Sequence, residues 1–371
     1  MPETLNKTHI AFRRSVEKLC ESVLQVIESE LDSSTKENHI RNLSKKAQVW
    51  SFNHPSDLGG PATRSLLELV IIHDTLASHN IVQVPGVFGP TPGLLGNASE
   101  PLRSSHLKPF LQGTKRAAFG FTEPVDAKQP TRATVENGSL IVNGQKSYVT
   151  GGQSADFINT LVEVENFGPS VVVIDRQCDG VTVEKVFPSS DGSTHASIVF
   201  RDVKVPMTNI VGKPGRGLPR AMDQITDIRL VLSAQSAGLA RWVIGQVSAH
   251  IRAPHRSGQP LASREGVRIR YADMRIKAFA MRSMVYRTAR IADSGENSVN
   301  ETIASKVFCT EGIGEIVDTA IQLTGGAALR VGHPLEKLQR LVRSWRLAEG
   351  ASDILRLSLA RGDLELNKGK L

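Results

Sequence analysis

The sequence predicts an α+β multidomain protein: an α-helical N-terminal domain, a small antiparallel β-barrel middle domain and a C-terminal four-helix bundle. Apolar residues recur at helical spacing over residues 1–116, the period switches to two over 117–217, and helical spacing returns over 218–371. A chain of 371 residues is long enough for two or three domains at about 100–200 residues each.

The N-terminal region carries two apolar stripes. Val16, Leu19, Val23 and Val26–Ile27 form one, and Leu66–Leu67, Val70–Ile71 and Leu76 form another. Three prolines between Pro85 and Gly96 predict a turn between helices. In the middle region, Asn137–Gly138 and Asn143–Gly144 are two-residue turn signals flanking a short strand, Ser139 to Val142. Further strands are expected over Gln145–Thr150, Ile158–Val164, Ser170–Asp175, Val181–Val186 and Ala196–Val205. Such short strands with Gly, Pro, Asp and Asn at their ends read as a barrel or sandwich. Breaks at Pro254–Pro260, Ser294–Ser298 and Gly325–Pro334 leave three long helical segments, with a fourth after Gly350, as in an up-and-down bundle. A site is expected where the three regions meet.

Composition narrows the function. Hydrophobic residues make up 40% and charged residues 22%, as in an ordinary globular protein. No apolar run reaches the roughly 18 residues a membrane span needs. Neither a secretory signal nor a transit peptide is visible, so a cytoplasmic location is expected. Cys20, Cys178 and Cys309 are sparse and odd in number, which predicts buried thiols rather than disulfides or a zinc site. The net charge of +8 would attract an acidic partner. Its arginines are spread out and aromatics are only 5%, which argues against a stacking nucleic-acid surface.

Five stretches, in order, resemble the acyl-CoA dehydrogenase family. They are FGFTEP (Phe119–Pro124), NGQKSYVTGG (Asn143–Gly152), FRDVKVP (Phe200–Pro206) leading into Gly215–Gly217, QLTGGAALRVGHPLEKLQR (Gln322–Arg340) and LAEGASDILRLSLAR (Leu347–Arg361). Each is short, but their order and spacing cover nearly the whole chain. The resemblance implies FAD as cofactor, a homotetramer or homodimer, and electron-transfer flavoprotein or oxygen as electron acceptor. It places Phe121, Thr122, Tyr148, Val149 and Thr150 around the flavin ring, with Thr150 donating near N5 and Tyr148 where the family usually has Trp. Gln322, Gly325 and Gly326 would meet the nucleotide part of an FAD held mainly by a neighbouring subunit, and Ser352 would approach the cofactor.

The implied reaction is α,β-dehydrogenation of an acyl thioester. Glu349 matches the family's base, and Gly350 lets the backbone bend sharply beside the substrate carbonyl. A carboxylate near its ordinary pKa of about 4.3 is a poor base at neutral pH, and an apolar pocket can raise it. Without the other motifs, Glu349 would read as a helix N-terminal carboxylate. Arg229 matches an arginine bordering the substrate pocket; alone it would read as a charge on a solvated face. Asp227 is two residues away and cannot pair with it on a helical face. His195, His255 and His333 show no ligand spacing, and structural or solvated roles are expected; no metal is implied.

The sequence also departs from the family. Lys128 occupies the place of a Ser near the substrate. Pro254 and Ser257 stand where the family has the Arg and Phe of its pyrophosphate-binding loop, with Arg252 or Arg256 as substitutes. Ala351 replaces a Thr and Leu341 an Asp. With the basic charge, these departures point to a specialised enzyme acting on acyl-CoA or on an acyl group carried by an acidic acyl-carrier protein. The alternatives are oxidation of a hydroxyacyl-carrier thioester, and a catalytically silent relative binding DNA or acyl-CoA.

Overall fold

The computed structural model describes residues 5–127 and 129–366. Helices α1 (Lys7–Glu28), α2 (Ser33–Lys46), α3 (Leu66–Ala77) and the single turn α4 (Lys108–Leu111) come first. Strands β1 (Ala117–Gly120), β2 (Arg132–Glu136), β3 (Ser139–Thr150), β4 (Phe157–Val164), β5 (Gly168–Asp175), β6 (Val181–Pro188) and β7 (Thr194–Pro206) follow. Helices α5 (Gly217–Arg252), α6 (Glu265–Asp293), α7 (Val299–Thr324), α8 (Pro334–Trp345) and α9 (Ser352–Leu364) complete the chain. The chain forms two compact units, residues 1–52, 63–88 and 226–371 in one and 53–62 and 89–225 in the other.

In the helical unit, the Asn6 side chain accepts from His9 N and starts α1, whose stripe buries Val16, Leu19, Cys20 and Val23. Helix α2, which the apolar pattern does not reveal, is capped instead by Asp32 accepting from Ser34 N and Thr35 N. The second stripe proves to be a helix buried almost all round: from Leu67 to Ala77 every residue but Glu68 is buried. Its start is held by Asp293 at the end of α6, which accepts from Leu66 N at 2.7 Å and Leu67 N at 3.0 Å. Below, the fully buried Asp74 accepts from Arg282 Nε at 3.1 Å and Tyr286 Oη at 2.8 Å and pairs with Arg241, so its charge is matched. The helix breaks fall where the sequence predicts them. In the C-terminal region α8, which the breaks do not anticipate, lies between Pro334 and Gly350, with His333 Nδ1 accepting from Leu335 N at 3.2 Å. That bond gives His333 a structural capping role.

In the other unit the strands form one seven-stranded sheet in the order β1-β4-β2-β3-β7-β6, with β5 on the other edge of β4. The sheet is mixed, which corrects the antiparallel expectation. Both β1 and β2 run parallel to β4, at Ala117–Phe157 and Arg132–Glu163 respectively. Strand β2 thus resumes the direction of β1 along one edge of β4. Asn137–Gly138 is the β2–β3 turn, with φ of 47° and 75°. Asn143–Gly144 is not a turn. The strand runs through it and the register to β7 slips there. The bulge residue is Asp202 (φ 50°), whose N–H donates to Asn143 Oδ1 at 2.9 Å. Gly144 is required because a Cβ would lie 2.5 Å from Thr131 Cα. Along β7, Ala196, Ile198 and Phe200 enter the core while His195, Ser197 and Val199 lie on the half-exposed outer face.

Candidate active site

Within the helical unit, the link between α8 and α9 forms a tight turn around Glu349. Its φ is +54°, the left-handed region that a non-glycine residue enters only when its surroundings impose it. Two cations impose it. Arg229 of α5, only 5% exposed, donates from Nε to the Glu349 carbonyl at 2.8 Å. Lys306 of α7, with no exposure, donates from Nζ to the carbonyls of Gly350 at 2.8 Å and Arg346 at 3.2 Å. Gly350 (φ +105°) completes the bend, and a Cβ there would press on Leu355 and Arg229. Ser352 is buried beside the turn and donates its N–H to the Arg346 carbonyl at 3.1 Å. Helix α9 follows Ala351 at its N-cap position, and the alanine side chain offers no capping acceptor.

The Glu349 carboxyl is half-buried, and burial raises its pKa above the ordinary carboxylate range against the pull of Arg229 and then Lys306. Lys306 is drawn down to about 8, first by burial and next by the Arg229 charge, while Glu349 and Glu311 oppose. The group is thus a carboxylate made more basic by desolvation but kept ionisable by two cations. Among the described residues, nothing accepts a hydrogen bond from the Glu349 N–H. The arginine is no solvated surface charge, and Asp227 pairs with Arg64 at 2.7 Å instead.

Within the sheet unit, the FGFTEP loop is stitched to the end of β3. Ser147 N donates to the Thr122 carbonyl at 2.9 Å. Lys146, 2% exposed, donates to the Phe121 carbonyl at 3.2 Å and to Glu123 Oε1 at 2.8 Å, and Thr131 N donates to the same carboxylate at 2.7 Å. The two partners shift for different reasons. Burial dominates for Lys146 and lowers its pKa; for Glu123, burial is outweighed by the Lys146 and Thr131 hydrogen bonds and the Lys146 charge, and its pKa also falls. The loop and strand therefore present Thr122, Tyr148 and Thr150 exposed, with Phe121 half-buried. Tyr148 has φ +54° and 65% exposure, and its ring meets Phe187 edge-on. Val149 is fully buried in the sheet core, so only its backbone is available to a ligand. Thr150 Oγ1 lies 3.1 Å from His195 Nδ1, a contact in keeping with a structural role for the histidine.

The remaining predicted residues lie elsewhere or beyond view. Gln322, Gly325 and Gly326 are exposed at the C-terminal end of α7, where Gly325 terminates the helix with φ +81°. Lys128 lies outside the described residues. In the loop after α5, Ser257 accepts from Arg264 at 3.2 Å and bonds His255 at 2.8 Å. No cluster of three metal-binding side chains occurs among the described residues, and no described helix is long and apolar enough to cross a membrane.

Three contributors escaped the sequence: Lys306, the Glu123–Lys146 pair and His195. A signal for the first was present. Lys306 falls on the buried face of α7 with Thr302, Cys309, Thr310 and Ile313, and a lysine on a core-facing stripe must find acceptors.

The family model for the acyl-CoA dehydrogenase C-terminal domain matches residues 215–364. The chain is similar to the 3-(aryl)acrylate reductase of Clostridium sporogenes, 26% identical over 368 residues that cover 95% of this chain and 97% of that protein. It is also similar to the short-chain-specific acyl-CoA dehydrogenase of Clostridium acetobutylicum, 25% identical over 383 residues, 97% of this chain and 99% of that one. Among solved structures, the FAD complex of PigA shares the fold with a TM-score of 0.81 at 22% identity, covering 97% and 98% of the two chains.

Proposed function

Since the chain belongs to the acyl-CoA dehydrogenase family, whose members are FAD-dependent oxidoreductases acting on CH–CH donors, we propose that it dehydrogenates an acyl thioester with Glu349 as the base. The carrying observation is the Glu349 turn: a carboxylate of raised pKa on a left-handed backbone, braced through carbonyls on both sides by Arg229 and Lys306. A base must hold its position while its charge changes, and a turn pinned by buried cations does so. The free Glu349 N–H is available to the thioester oxygen, where negative charge develops as the α-proton leaves. Gly350 leaves room for that approach, and Ser352 borders it.

The sheet residues fit a flavin. Thr122 and Thr150 offer hydroxyls, Tyr148 offers an exposed aromatic surface, and Phe121 and the Val149 backbone lie beside them, a neutral donor set suited to an uncharged planar ring. The bound cofactor supplies the hydride acceptor. Thr150 and Thr122 would orient the ring, the Glu123–Lys146 pair would hold the Thr122 loop against β3, and Gln322, Gly325 and Gly326 would serve the nucleotide end in a neighbouring subunit. The finer architecture belongs to the same proposal: domains over 1–116, 117–217 and 218–371, the sheet closed as a barrel, the C-terminal helices as a bundle, and a tetramer or dimer.

The thioester carrier is proposed as CoA or an acyl-carrier protein, the latter supported by the net charge of +8. The similarity to an acrylate reductase favours activated, conjugated acyl groups as a second substrate class, which the same base and cofactor would serve in reverse. An anaerobic screen of acyl-CoA and acyl-carrier thioesters tests all of this by loss of the flavin's visible absorbance. Rapid bleaching by saturated thioesters supports dehydrogenation. An FAD-loaded protein that no thioester bleaches contradicts it.

A further inference from the structure

A chain of hydrogen bonds on the outer face of the sheet fixes which way the Thr150 hydroxyl points. Ser193 Oγ donates to Asp191 Oδ1 at 2.6 Å, and Ser193 N donates to the same oxygen at 3.0 Å. Ser193 Oγ also lies 3.1 Å from His195 Nε2, and His195 Nδ1 lies 3.1 Å from Thr150 Oγ1. The β3–β7 register sets Thr150 directly across from His195. The ring is held by Tyr148 at 6.0 Å and Phe187 at 5.8 Å between centroids.

Counting protons decides the rest. Ser193 has one hydroxyl hydrogen, and the Asp191 carboxylate takes it, so towards His195 the serine oxygen can only accept. A neutral His195 must therefore carry its hydrogen on Nε2 and leave Nδ1 bare. Thr150 then donates to Nδ1, and outward its oxygen offers lone pairs only. A proton added to Nδ1 reverses the bond: His195 donates to Thr150, and the threonine hydrogen turns outward.

We propose that His195 is a positioning residue that switches Thr150 between acceptor and donor at the flavin, with Asp191 and Ser193 setting its tautomer. The proposal rests on the placement of Thr150 at the flavin under the proposed function. A donating hydroxyl suits the bare ring nitrogen of an oxidised flavin, and an accepting one suits the N–H of the reduced flavin. Oxidised cofactor thus favours the protonated imidazole and reduced cofactor the neutral one, so reduction releases a proton from His195. The ionisable groups around the ring are Tyr148 from β3, which meets it edge-on, Asp191 from the β6–β7 turn, which reaches it through Ser193, and Lys185 from β6, whose ammonium lies 5.9 Å over the adjacent Phe187 ring.

The first test needs no cofactor. Nitrogen NMR of the His195 ring in the apoprotein should show the Nε2–H tautomer in the neutral form, and Ser193→Ala should mix the two tautomers. A neutral Nδ1–H form in the unaltered protein overturns the proposal. The second test is the pH dependence of the flavin potential in the FAD-loaded protein. Where His195 exchanges its proton with the redox state, the wild type should take up fewer protons per electron pair than His195→Asn, by as much as one. Identical pH slopes in wild type and His195→Asn reject the link to the cofactor. Failure to bind FAD would instead reject the flavin placement, while the apoprotein tautomer would still judge the network.

Discussion

Lys306, with no solvent exposure, donates to the Gly350 carbonyl at 2.8 Å and so ties α7 to the residue after Glu349. One ammonium thereby braces the turn and partly offsets the burial that raises the pKa of Glu349.

Lys306→Met should therefore shift the pH profile of flavin reduction. The base must be ionised to act, so the rate rises with pH through the Glu349 pKa. Removing the nearby cation raises that pKa further, and the rising limb should move to higher pH, whereas Lys306→Arg should keep it near its place. Stability gives an independent sign. Lys306 titrates at about 8 when folded against about 10.4 for a free lysine. Between these values the unfolded chain binds more protons, so this group makes stability rise with pH through that window. Urea melts at several pH values should show the rise in wild type and lose it in Lys306→Met.

The Glu123–Lys146 pair predicts an asymmetry. Glu123→Leu leaves a nearly unexposed ammonium with the Phe121 carbonyl as its one remaining partner among the described residues, at a cost of about 1.5–3 kcal/mol. Lys146→Met leaves a carboxylate with 27% side-chain exposure, which water can reach, and should cost less. Chemical denaturation of both variants checks the order, and the reverse order would show that the loop is held by something else.

Gly350→Ala forces a Cβ onto a residue with φ +105° and to within 3.1 Å of Leu355 Cδ2. Left-handed backbone costs an alanine about 1–2 kcal/mol, and the bend cannot relax without moving Glu349. Thermal unfolding should fall modestly while the rate of flavin reduction falls far more. Equal losses in both would mean that the turn serves folding alone.

Much of the candidate site is legible because its motifs lie along the chain. Glu349–Gly350, Phe121–Thr122 and Tyr148–Thr150 are each local, and a glycine or a turn signal marks them. The helix breaks at Pro254, Ser294 and Gly325 were visible for the same reason. What escaped depends on long-range pairing. Asn143–Gly144 has the composition of a hairpin turn, but its partner Asp202 comes from another strand and makes it a bulge. Helix α2 has only Ile40 and Ser44 buried, too few for a periodic signal. The role of Lys306 emerges only when α7 packs beside the α8–α9 link, and the Thr150–His195 contact only when β7 is aligned with β3.

The most direct measurement is anaerobic flavin reduction by a thioester that bleaches the wild type, repeated with Glu349→Gln. The variant should fold, bind FAD and stay yellow, with the rate of bleaching lowered by about 100- to 10,000-fold. Bleaching at the wild-type rate in that variant would contradict Glu349 as the base.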